Sequence, residues 1–346
     1  MSSQPESNGL IMRVHEPAGP LVAETQTPQT PDVGLVRVDI KATGVCFADV
    51  GVAAAQGDSV AFPVTPGHEI AGVIAEVGAD VTHWHVGDRV AVGWFGGSCG
   101  YCSYCRSGDP VHCPQRVMPG WSYPGGWAQS IIVPAQALAA IPDGMDFFDS
   151  APMGCAGVTT FNAIRNAKVP TGGTVAVFGI GGLGHLAVQF ASAMGYRTIA
   201  IARGTDRAEM ARQLGADHYI DSTAQDPGQA LAELGGADLI LSTASTTDPV
   251  ETLLPGLAVY GRLVMIGVDD GSITVPAGQL MSKGQTVTGH LTGSPTDTEQ
   301  TMRFAHRNGV RPIIEQMPLT EANAAVARVS NGDARFRIVL DPGGSK

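Results

Sequence analysis

The chain has 346 residues, 44% of them hydrophobic, and a formal net charge of −11 with no block of lysine or arginine. This length exceeds that at which one core usually keeps growing, so two domains are expected. Without clustered positive charge, a surface for nucleic acid or an anionic membrane is not expected. No stretch approaches the roughly 20 apolar residues that span a bilayer, and residues 1–10 lack the features of a secretory signal.

Short β segments separated by glycine and proline are predicted for the first half of the chain. These strands are Val36–Ile40, Gly72–Val77, Arg89–Val92 and Ser130–Val133. From Thr174 the pattern alternates strands with helices, which predicts a parallel sheet covered on both faces. The strands are Thr174–Phe178, Thr198–Ala202, His218–Ile220, Asp238–Leu241 and Arg262–Ile266, and two of the helices are Gly184–Met194 and Asp206–Leu214.

After Gly293 the pattern changes again, to a predicted helix at Leu319–Val329 and a closing strand at Arg337–Leu340. The simplest organisation has three parts. A β-rich domain covers residues 1–156, a nucleotide-binding domain covers residues 157–293, and a C-terminal segment over residues 294–346 returns to the first domain.

A glycine-rich turn follows the strand Thr174–Phe178 and opens a helix. Its sequence is Gly179-Ile180-Gly181-Gly182-Leu183-Gly184. The glycines allow a tight turn and close approach of the backbone to a pyrophosphate, and the helix N-terminus offers free N–H groups to it. Such a turn also occurs for packing alone, but the strand before it and the helix after it favour a nucleotide site.

The second strand of this domain ends without the acid that usually accepts the ribose hydroxyls of NAD. Its end carries Ala202 followed by Arg203. A small residue removes repulsion of a 2′-phosphate, and an arginine can bind that phosphate with two charge-assisted hydrogen bonds. A solvated loop arginine is the alternative. We therefore expect NADP(H) rather than NAD(H).

Four of the six cysteines lie within fifteen residues, on a glycine-containing loop. They are Cys99, Cys102, Cys105 and Cys113. In a chain expected to be cytoplasmic, such spacing favours metal ligands over disulfides. Four thiolates suit a closed tetrahedral zinc site, which is structural, and iron or an iron–sulfur cluster is the chemical alternative.

Two cysteines remain, Cys46 and Cys155, and a histidine and an acid, His68 and Glu69, lie near the first. Two thiolates and one imidazole leave a fourth zinc position for water or substrate, as Lewis-acid catalysis requires. Each of these residues taken alone is as well explained by the core. The combination indicates a catalytic metal site.

These motifs follow one another in the order found in the zinc-containing medium-chain alcohol dehydrogenases, which the chain resembles over essentially its whole length. The stretches that carry the resemblance are Gly44-Val45-Cys46-Phe47-Ala48-Asp49, Gly67-His68-Glu69, the four-cysteine loop, Cys155-Ala156-Gly157-Val158-Thr159-Thr160 and the glycine-rich turn. The resemblance implies an α/β protein in which a GroES-like catalytic domain is interrupted by a Rossmann domain, with the active site in the cleft between them.

The resemblance also implies a role for individual residues. Cys46, His68 and Cys155 would bind a catalytic zinc ion, with Glu69 behind it and able to visit the metal, and with Asp49 hydrogen-bonded to His68. The four-cysteine loop would hold a structural zinc ion, so two zinc ions per chain are expected. Besides the glycine-rich turn (Gly179, Gly181, Gly182, Leu183 and Gly184), the residues expected to contact the cofactor are Phe47, Thr159, Ala202, Arg203 and, on its pyrophosphate, Arg337.

In such enzymes zinc activates the substrate oxygen and the nicotinamide exchanges hydride with the adjacent carbon. The expected substrate is a small alcohol, aldehyde or ketone, and the expected assembly is a homodimer or homotetramer. Ala48 stands where the family often has a serine or threonine, which puts the usual proton path in doubt. Trp94, Phe95 and Trp121 are expected to line a substrate pocket with Ala48, although core packing explains each equally well.

Three other interpretations stay open. The first is a polyol dehydrogenase of the same architecture, against which Ala48 and the apolar residues near the metal motifs argue. The second is a non-catalytic zinc protein with a structural or redox-sensing role, against which the three-ligand set beside a glycine-rich turn argues. The third is a zinc-free reductase of the same fold, which would need neither set of cysteines.

Overall fold

The computed structural model of the protein describes residues 9–55, 60–247, 249–267 and 271–343. Residues 1–8 of the segment assessed for a secretory signal lie outside these ranges. The strands, in chain order, are β1 (Gly9–Val14), β2 (Leu21–Gln26), β3 (Leu35–Val45), β4 (Ile70–Val77), β5 (Arg89–Val92), β6 (Ser130–Pro134), β7 (Leu138–Ala140), β8 (Thr174–Phe178), β9 (Arg197–Ala202), β10 (His218–Asp221), β11 (Ala237–Ser242), β12 (Leu257–Met265), β13 (Thr286–Gly289), β14 (Ile314–Pro318) and β15 (Arg337–Asp341).

The helices complete this set of elements. They are α1 (Phe47–Ala53), α2 (Ser103–Arg106), α3 (Phe147–Ser150), α4 (Ala156–Asn166), α5 (Gly184–Ala193), α6 (Ala208–Gln213), α7 (Pro227–Glu233), α8 (Ala277–Lys283), α9 (Pro295–Asn308) and α10 (Ala322–Ser330). Within the described ranges, no helix combines the length and the apolar character needed to cross a bilayer.

The chain forms two compact units. The first comprises Met1–Cys155, Gly293–His306 and Pro312–Lys346, and the second comprises Ala156–Thr292 and Arg307–Arg311. The first unit leaves off at Cys155 and the main segment of the second unit ends at Thr292. The predicted domain boundaries follow residues 156 and 293, so each lies one residue further along the chain. The segment after residue 293 belongs to the first unit, apart from residues 307–311.

The first unit is built on a mixed sheet in the order β14-β15-β3-β4-β5-β7, with β6 also paired to β3. Strand β3 is antiparallel to β15, β4 and β6, and β14 is parallel to β15. Val36, Val38 and Ile40 alternate along β3 and are buried together with Ile70 and Ile74, as expected for a strand with one face on a core. This order places β3 between β4 and β15, at the position where the first candidate metal site forms.

The second unit is a parallel sheet in the order β10-β9-β8-β11-β12-β13. Counted within the unit this order is 3-2-1-4-5-6, that of a doubly wound dinucleotide-binding sheet. Val175, Ala176 and Val177 of β8 are all fully buried, because both faces of such a sheet are covered. The rings of Phe161 and Phe190 on α4 and α5 meet edge to face with centroids 5.4 Å apart. The predicted α/β fold class is confirmed.

Each strand predicted from the sequence overlaps a strand of the structure, and the two helices predicted between strands of the second unit correspond to α5 and α6. The helix predicted at Leu319–Val329 begins as a 3-10 turn over Leu319–Glu321, and its α-helical part starts at Ala322. Helices α4 and α9 were not predicted as separate elements, because α4 contains β-branched residues that disfavour helix and α9 is largely polar.

Replacement of Phe190 tests the packing of the second unit. Because Phe190 is completely buried, Phe190→Ala should lower the free energy of unfolding of this unit by about 3–5 kcal/mol. Glu209 lies on α6 in the same unit with its side chain 75% exposed, so Glu209→Ala serves as the control and should change the free energy of unfolding by less than about 0.5 kcal/mol. Urea unfolding followed by circular dichroism measures the free energy of unfolding of both variants. Equal losses in the two variants would contradict the packing of Phe190 in the core of this unit.

Candidate metal centres and nucleotide-binding turn

Four side chains of the first unit converge to form the first candidate metal centre. Cys46 follows β3 and precedes α1, His68 and Glu69 directly precede β4, and Cys155 follows a 3-10 turn. One ligand atom from each of the four lies within 4.8 Å of the others. Folding therefore brings together the residues expected to bind the catalytic zinc, although Cys46 and Cys155 are 109 positions apart.

The geometry of this centre fits a zinc ion. Two sulfurs bound to tetrahedral zinc at about 2.3 Å lie about 3.8 Å apart, and Sγ of Cys46 is 4.0 Å from Sγ of Cys155. Nε2 of His68 is buried and has no hydrogen-bond partner in the described part of the chain, so it can serve as the third ligand. The hydrogen bond shared by the two sulfurs lowers the pKa of Cys46 and raises the pKa of Cys155, so the thiolate forms first at Cys46. These three ligands leave a coordination position open.

Asp49, in the first turn of α1, holds the ligands of this centre in place. Its carboxylate is 1% exposed and accepts hydrogen bonds from the backbone N–H of Cys46 at 2.9 Å and of Gly67 at 3.1 Å. It also lies 2.7 Å from Nδ1 of His68. Because Nδ1 is engaged in this way, Nε2 is the ring atom left for a metal. The structure therefore contains the contact between Asp49 and His68 that the resemblance implies.

Glu69 is completely buried, and its carboxylate pairs with the guanidinium of Arg337 at the start of β15. Burial raises the pKa of Glu69 to about 7, while the charge of Arg337 acts in the opposite direction. The two residues are 268 positions apart, so no local sequence pattern indicates their pairing. Arg337 was expected at the cofactor's pyrophosphate; its Nη2 atom is engaged by Glu69, and its Nε atom has no partner among the described residues.

The second candidate metal centre is the four-cysteine loop. Its sulfur atoms lie 3.5 Å apart for Cys102 and Cys105, 3.6 Å for Cys99 and Cys113, and 3.9 Å for Cys99 and Cys105. These separations bracket the 3.8 Å or so expected around tetrahedral zinc. The short helix α2 supports the arrangement, because Sγ of Cys102 accepts a hydrogen bond from the backbone N–H of Cys105 at its N-terminus. With four sulfur ligands, a metal bound here would have no open position.

The glycine-rich turn connects β8 to α5 in the second unit, as the sequence predicts. Gly179 has a φ of +91°, a conformation that favours glycine. A β carbon at Gly184 would overlap the carbonyl oxygen of Gly179, so only glycine lets α5 begin this close to the strand. The first N–H groups of α5 then lie next to the turn, which is where such folds bind the pyrophosphate of a dinucleotide.

The loop after β9 carries the residues expected near the ribose. Ala202 ends the strand and Arg203 is exposed immediately after it. The structure adds Arg207, which sequence reasoning missed: its Nη1 donates to the carbonyl oxygen of Ile180 in the glycine-rich turn at 2.8 Å. The sequence could have indicated this residue, because Arg207 is a second basic residue shortly after the strand that ends at Ala202. Both arginines belong to a loop adjacent to the candidate nucleotide site.

Two other residues expected at the cofactor lie in different surroundings. Phe47, the first residue of α1, is 59% exposed, and Ala48 beside it is also exposed. Thr159 is buried within α4, with its hydroxyl 3.4 Å from that of Thr292. No feature of these positions tests a cofactor contact, so their roles stay predictions.

One of the three aromatic residues expected in a substrate pocket lines a cavity of the first unit. Phe95 is buried and lines a cavity of about 620 Å³ in the first unit, together with Trp84 and residues at the start of α9. Trp94 and Trp121 do not belong to its described lining. Trp94 instead lies under the guanidinium of Arg116, 5.4 Å from the ring centre, and Trp121 is 39% exposed. The predicted substrate pocket stays a prediction.

Comparison with known proteins gives consistent results over both units. The family descriptions "Alcohol dehydrogenase GroES-like domain" and "Zinc-binding dehydrogenase" match residues 32–143 and 182–307. An alcohol dehydrogenase of Aspergillus sp. (strain MF297-2) is 39% identical over 93% of this chain and 94% of its own length. NADP-dependent alcohol dehydrogenase C 1 of Mycolicibacterium smegmatis is 35% identical, over 93% of this chain and 94% of its own.

Solved structures agree with these sequence relatives. A cinnamyl alcohol dehydrogenase from Sorghum bicolor is 30% identical, has a TM-score of 0.87 and covers 98% of this chain and 99% of its own. A chain with a GroES-like unit, a Rossmann unit and this degree of identity to alcohol dehydrogenases is an oxidoreductase. It belongs to the zinc-containing medium-chain alcohol dehydrogenase family.

Substitution of Asp49 tests how the first centre is held. Asp49→Asn should lower metal retention or activity by about 10–100-fold, because an amide no longer offers the charged acceptor that orients His68. Asp88→Asn is the matched control, since Asp88 accepts a hydrogen bond from the backbone N–H of His85 at 2.8 Å on the surface, outside both ligand-bearing loops. Metal content after dialysis against a chelator measures the effect. Equal retention by the two variants would contradict the role of Asp49.

Proposed function

We propose that the chain is a zinc-dependent alcohol dehydrogenase, or aldehyde and ketone reductase, that moves hydride between NADP(H) and a small alcohol or carbonyl compound. The observation that carries this proposal is the convergence of Cys46, His68 and Cys155, a ligand set with an open fourth position. Zinc held there would act as a Lewis acid on the substrate oxygen. The identity to alcohol dehydrogenases over nearly the whole chain supports the reaction class.

The surrounding residues orient this centre and limit proton movement. Asp49 keeps the imidazole of His68 in one orientation through its contact with Nδ1. Ala48 and Gly51 occupy α1, and neither has a group that can carry a proton. A proton exchanged with the substrate hydroxyl would therefore pass through ordered water or through another hydroxyl.

The four-cysteine loop would hold a second zinc ion, which gives two per chain. Its sulfur separations of 3.5–3.9 Å support this assignment. Such a closed site contributes free energy to folding, because the ligands are not assembled in the unfolded chain. The metal of the loop would thus stabilise the first unit without contacting substrate.

NADP(H) is the proposed cofactor, bound at the glycine-rich turn. The absence of an acid at Ala202 and the exposed Arg203 favour a 2′-phosphate over a free ribose hydroxyl. Arg207 adds a second positive charge in the same loop. The description of the Mycolicibacterium relative as NADP-dependent supports this choice. Contacts of the cofactor with Phe47, Thr159 and, through its pyrophosphate, Arg337 remain part of the proposal.

We further propose that the protein is a cytoplasmic homodimer or homotetramer. Six cysteines without a disulfide suit a reducing compartment. In the second unit β13 ends the sheet, and Val259, Tyr260 and Met281 are exposed apolar side chains of this unit. Exposed apolar surface of this kind is typical of an interface between subunits.

Metal analysis combined with activity tests the proposed function. The purified protein should contain two zinc ions per chain and reduce aldehydes or ketones with NADPH. Cys46→Ser should abolish activity and leave the fold intact, whereas Cys102→Ser should lower the melting temperature, because a closed site stabilises the fold directly. One zinc ion or none would contradict the two-site assignment. Full activity of zinc-depleted Cys46→Ser protein would contradict the function.

Replacement of Arg203 tests cofactor choice. Arg203→Ala should weaken NADPH binding by about 1.5–3 kcal/mol, the contribution of hydrogen bonds to a charged group, and should leave NADH binding unchanged. Ala202→Asp should shift preference toward NADH, because it restores an acceptor for the ribose and repels phosphate. Arg212→Ala on α6 is the control, as this arginine is exposed and pairs only weakly with Glu209. Titration calorimetry measures both cofactors, and equal losses for NADPH and NADH would contradict the assignment.

A further inference from the structure

Arg116, shortly after the four-cysteine loop, carries a positive charge without a counter-charge in the described part of the chain. Its guanidinium lies over the ring of Trp94, 5.4 Å from the centroid. Among the described residues it forms no ion pair and no hydrogen bond. The chain has 32 acidic residues against 21 lysines and arginines, so the lack of an acidic partner does not come from a shortage of acids.

The side chain of Arg116 is half-buried, with only its outer end accessible. Its Nε atom is buried and has no hydrogen-bond partner within the described ranges, whereas Nη1 and Nη2 are not buried. A buried donor without a partner costs free energy, which a purely structural role does not explain. The contact with the ring of Trp94 holds the guanidinium in place. Its two Nη atoms can then donate parallel hydrogen bonds to the two oxygens of one carboxylate.

Backbone hydrogen bonds hold the segment that carries Arg116 against the segment that follows Trp94. The N–H of Gly96 donates to the carbonyl oxygen of Val117 at 2.9 Å, and the N–H of Val117 donates to that of Gly97 at 2.9 Å. Gly97 and Val117 therefore form an antiparallel bridge. Paired backbone on both sides places the cation and the ring together.

Both segments also contact the loops that carry ligands of the first metal centre. The backbone N–H of Trp94 donates to the carbonyl oxygen of Gly154 at 3.3 Å, directly before the ligand Cys155. On the other segment, a β carbon at Gly120 would lie 3.0 Å from the backbone nitrogen of Gly67, the residue before the histidine ligand. All of these residues belong to the first unit. The cation and the ring therefore lie beside the first metal centre.

We propose that Arg116 binds a carboxylate group of the substrate, so that the preferred substrates are aldehydes, ketones or alcohols that also carry a carboxylate. The inference rests on the function proposed for the first metal centre, where the reacting end of the substrate lies. The apolar part between the two ends packs on the ring of Trp94. The net charge of −11 repels anions from the protein as a whole, so this recognition depends on the local charge of Arg116.

A pair of aldehydes that differ in charge tests the proposal. The kcat/KM values for 4-formylbenzoate and for its methyl ester are measured with NADPH, in the unmodified chain and in variants. Arg116→Gln should lower the value for the acid about 10–100-fold, mainly through KM, because hydrogen bonds to charged groups are lost. The value for the ester should not change. Comparing the acid-to-ester ratio between variants cancels the different intrinsic reactivities of the two aldehydes.

Arg303→Gln is the matched control, because it removes the same charge from a side chain that is 62% exposed on α9. It should leave both values unchanged. Titration calorimetry gives a second readout that needs no turnover, with 4-methylbenzoate and 4-methylbenzamide as ligands. Arg116→Gln should weaken binding of the benzoate about 10-fold or more and leave binding of the amide unchanged.

The outcomes separate this proposal from the proposed function. Reduction of both aldehydes with an acid-to-ester ratio that Arg116→Gln does not alter overturns the role of Arg116 alone. Equal losses for acid and ester overturn it as well, since they indicate a structural role. Reduction of neither aldehyde overturns the proposed function, and calorimetry then decides whether Arg116 binds the carboxylate. If Arg116→Gln does not fold, Arg116→Lys, which keeps the charge but not the paired donors, must lower the ratio, and an unchanged ratio overturns the proposal.

Discussion

The carboxylate of Asp49 connects two of the three segments that form the first metal centre, the one that carries Cys46 and the one that carries His68. It accepts hydrogen bonds from the backbone N–H groups of Cys46 and Gly67 and contacts Nδ1 of His68. The segment with the sulfur ligand and the segment with the nitrogen ligand are therefore both fixed to one carboxylate. Hydrogen bonds to a charged, buried acceptor are strong, and they are costly to leave incomplete. The ligand geometry therefore depends on α1, a helix of seven residues that would be marginal in isolation.

Apart from the meeting of Cys46, His68 and Cys155, which their residue types and the family resemblance indicated, the parts of the structure that could be predicted from the sequence depend on contacts between residues close in the chain. The four cysteines lie within fifteen residues, and the glycine-rich turn joins a strand and a helix that follow one another directly. The strand Thr174–Phe178 was predicted with the bounds that the structure has, because a strand buried on both faces is a short continuous apolar run. In these cases the local pattern contains the physical reason for the structure.

The parts that could not be predicted depend on burial and on distant contacts. Helix α9 is largely polar, and only Thr298, Thr301, Met302 and Ala305 are buried, so its apolar stripe is narrow. Helix α4 contains Val158, Thr159 and Thr160, which disfavour helix, and is nevertheless buried along nearly its whole length. The pairing of Glu69 with Arg337 joins residues 268 positions apart. Tertiary packing decides all three features.

The position of Arg337 in β15 has a consequence for the order of events during synthesis. Every ligand of both metal centres precedes this strand in the chain. At about 5–20 residues per second, a ribosome needs roughly 10–50 s to travel from Glu69 to Arg337. Over that interval the nascent chain carries the carboxylate of Glu69 without its counter-charge. The ion pair between Glu69 and Arg337 is therefore among the last features of the first unit to be completed.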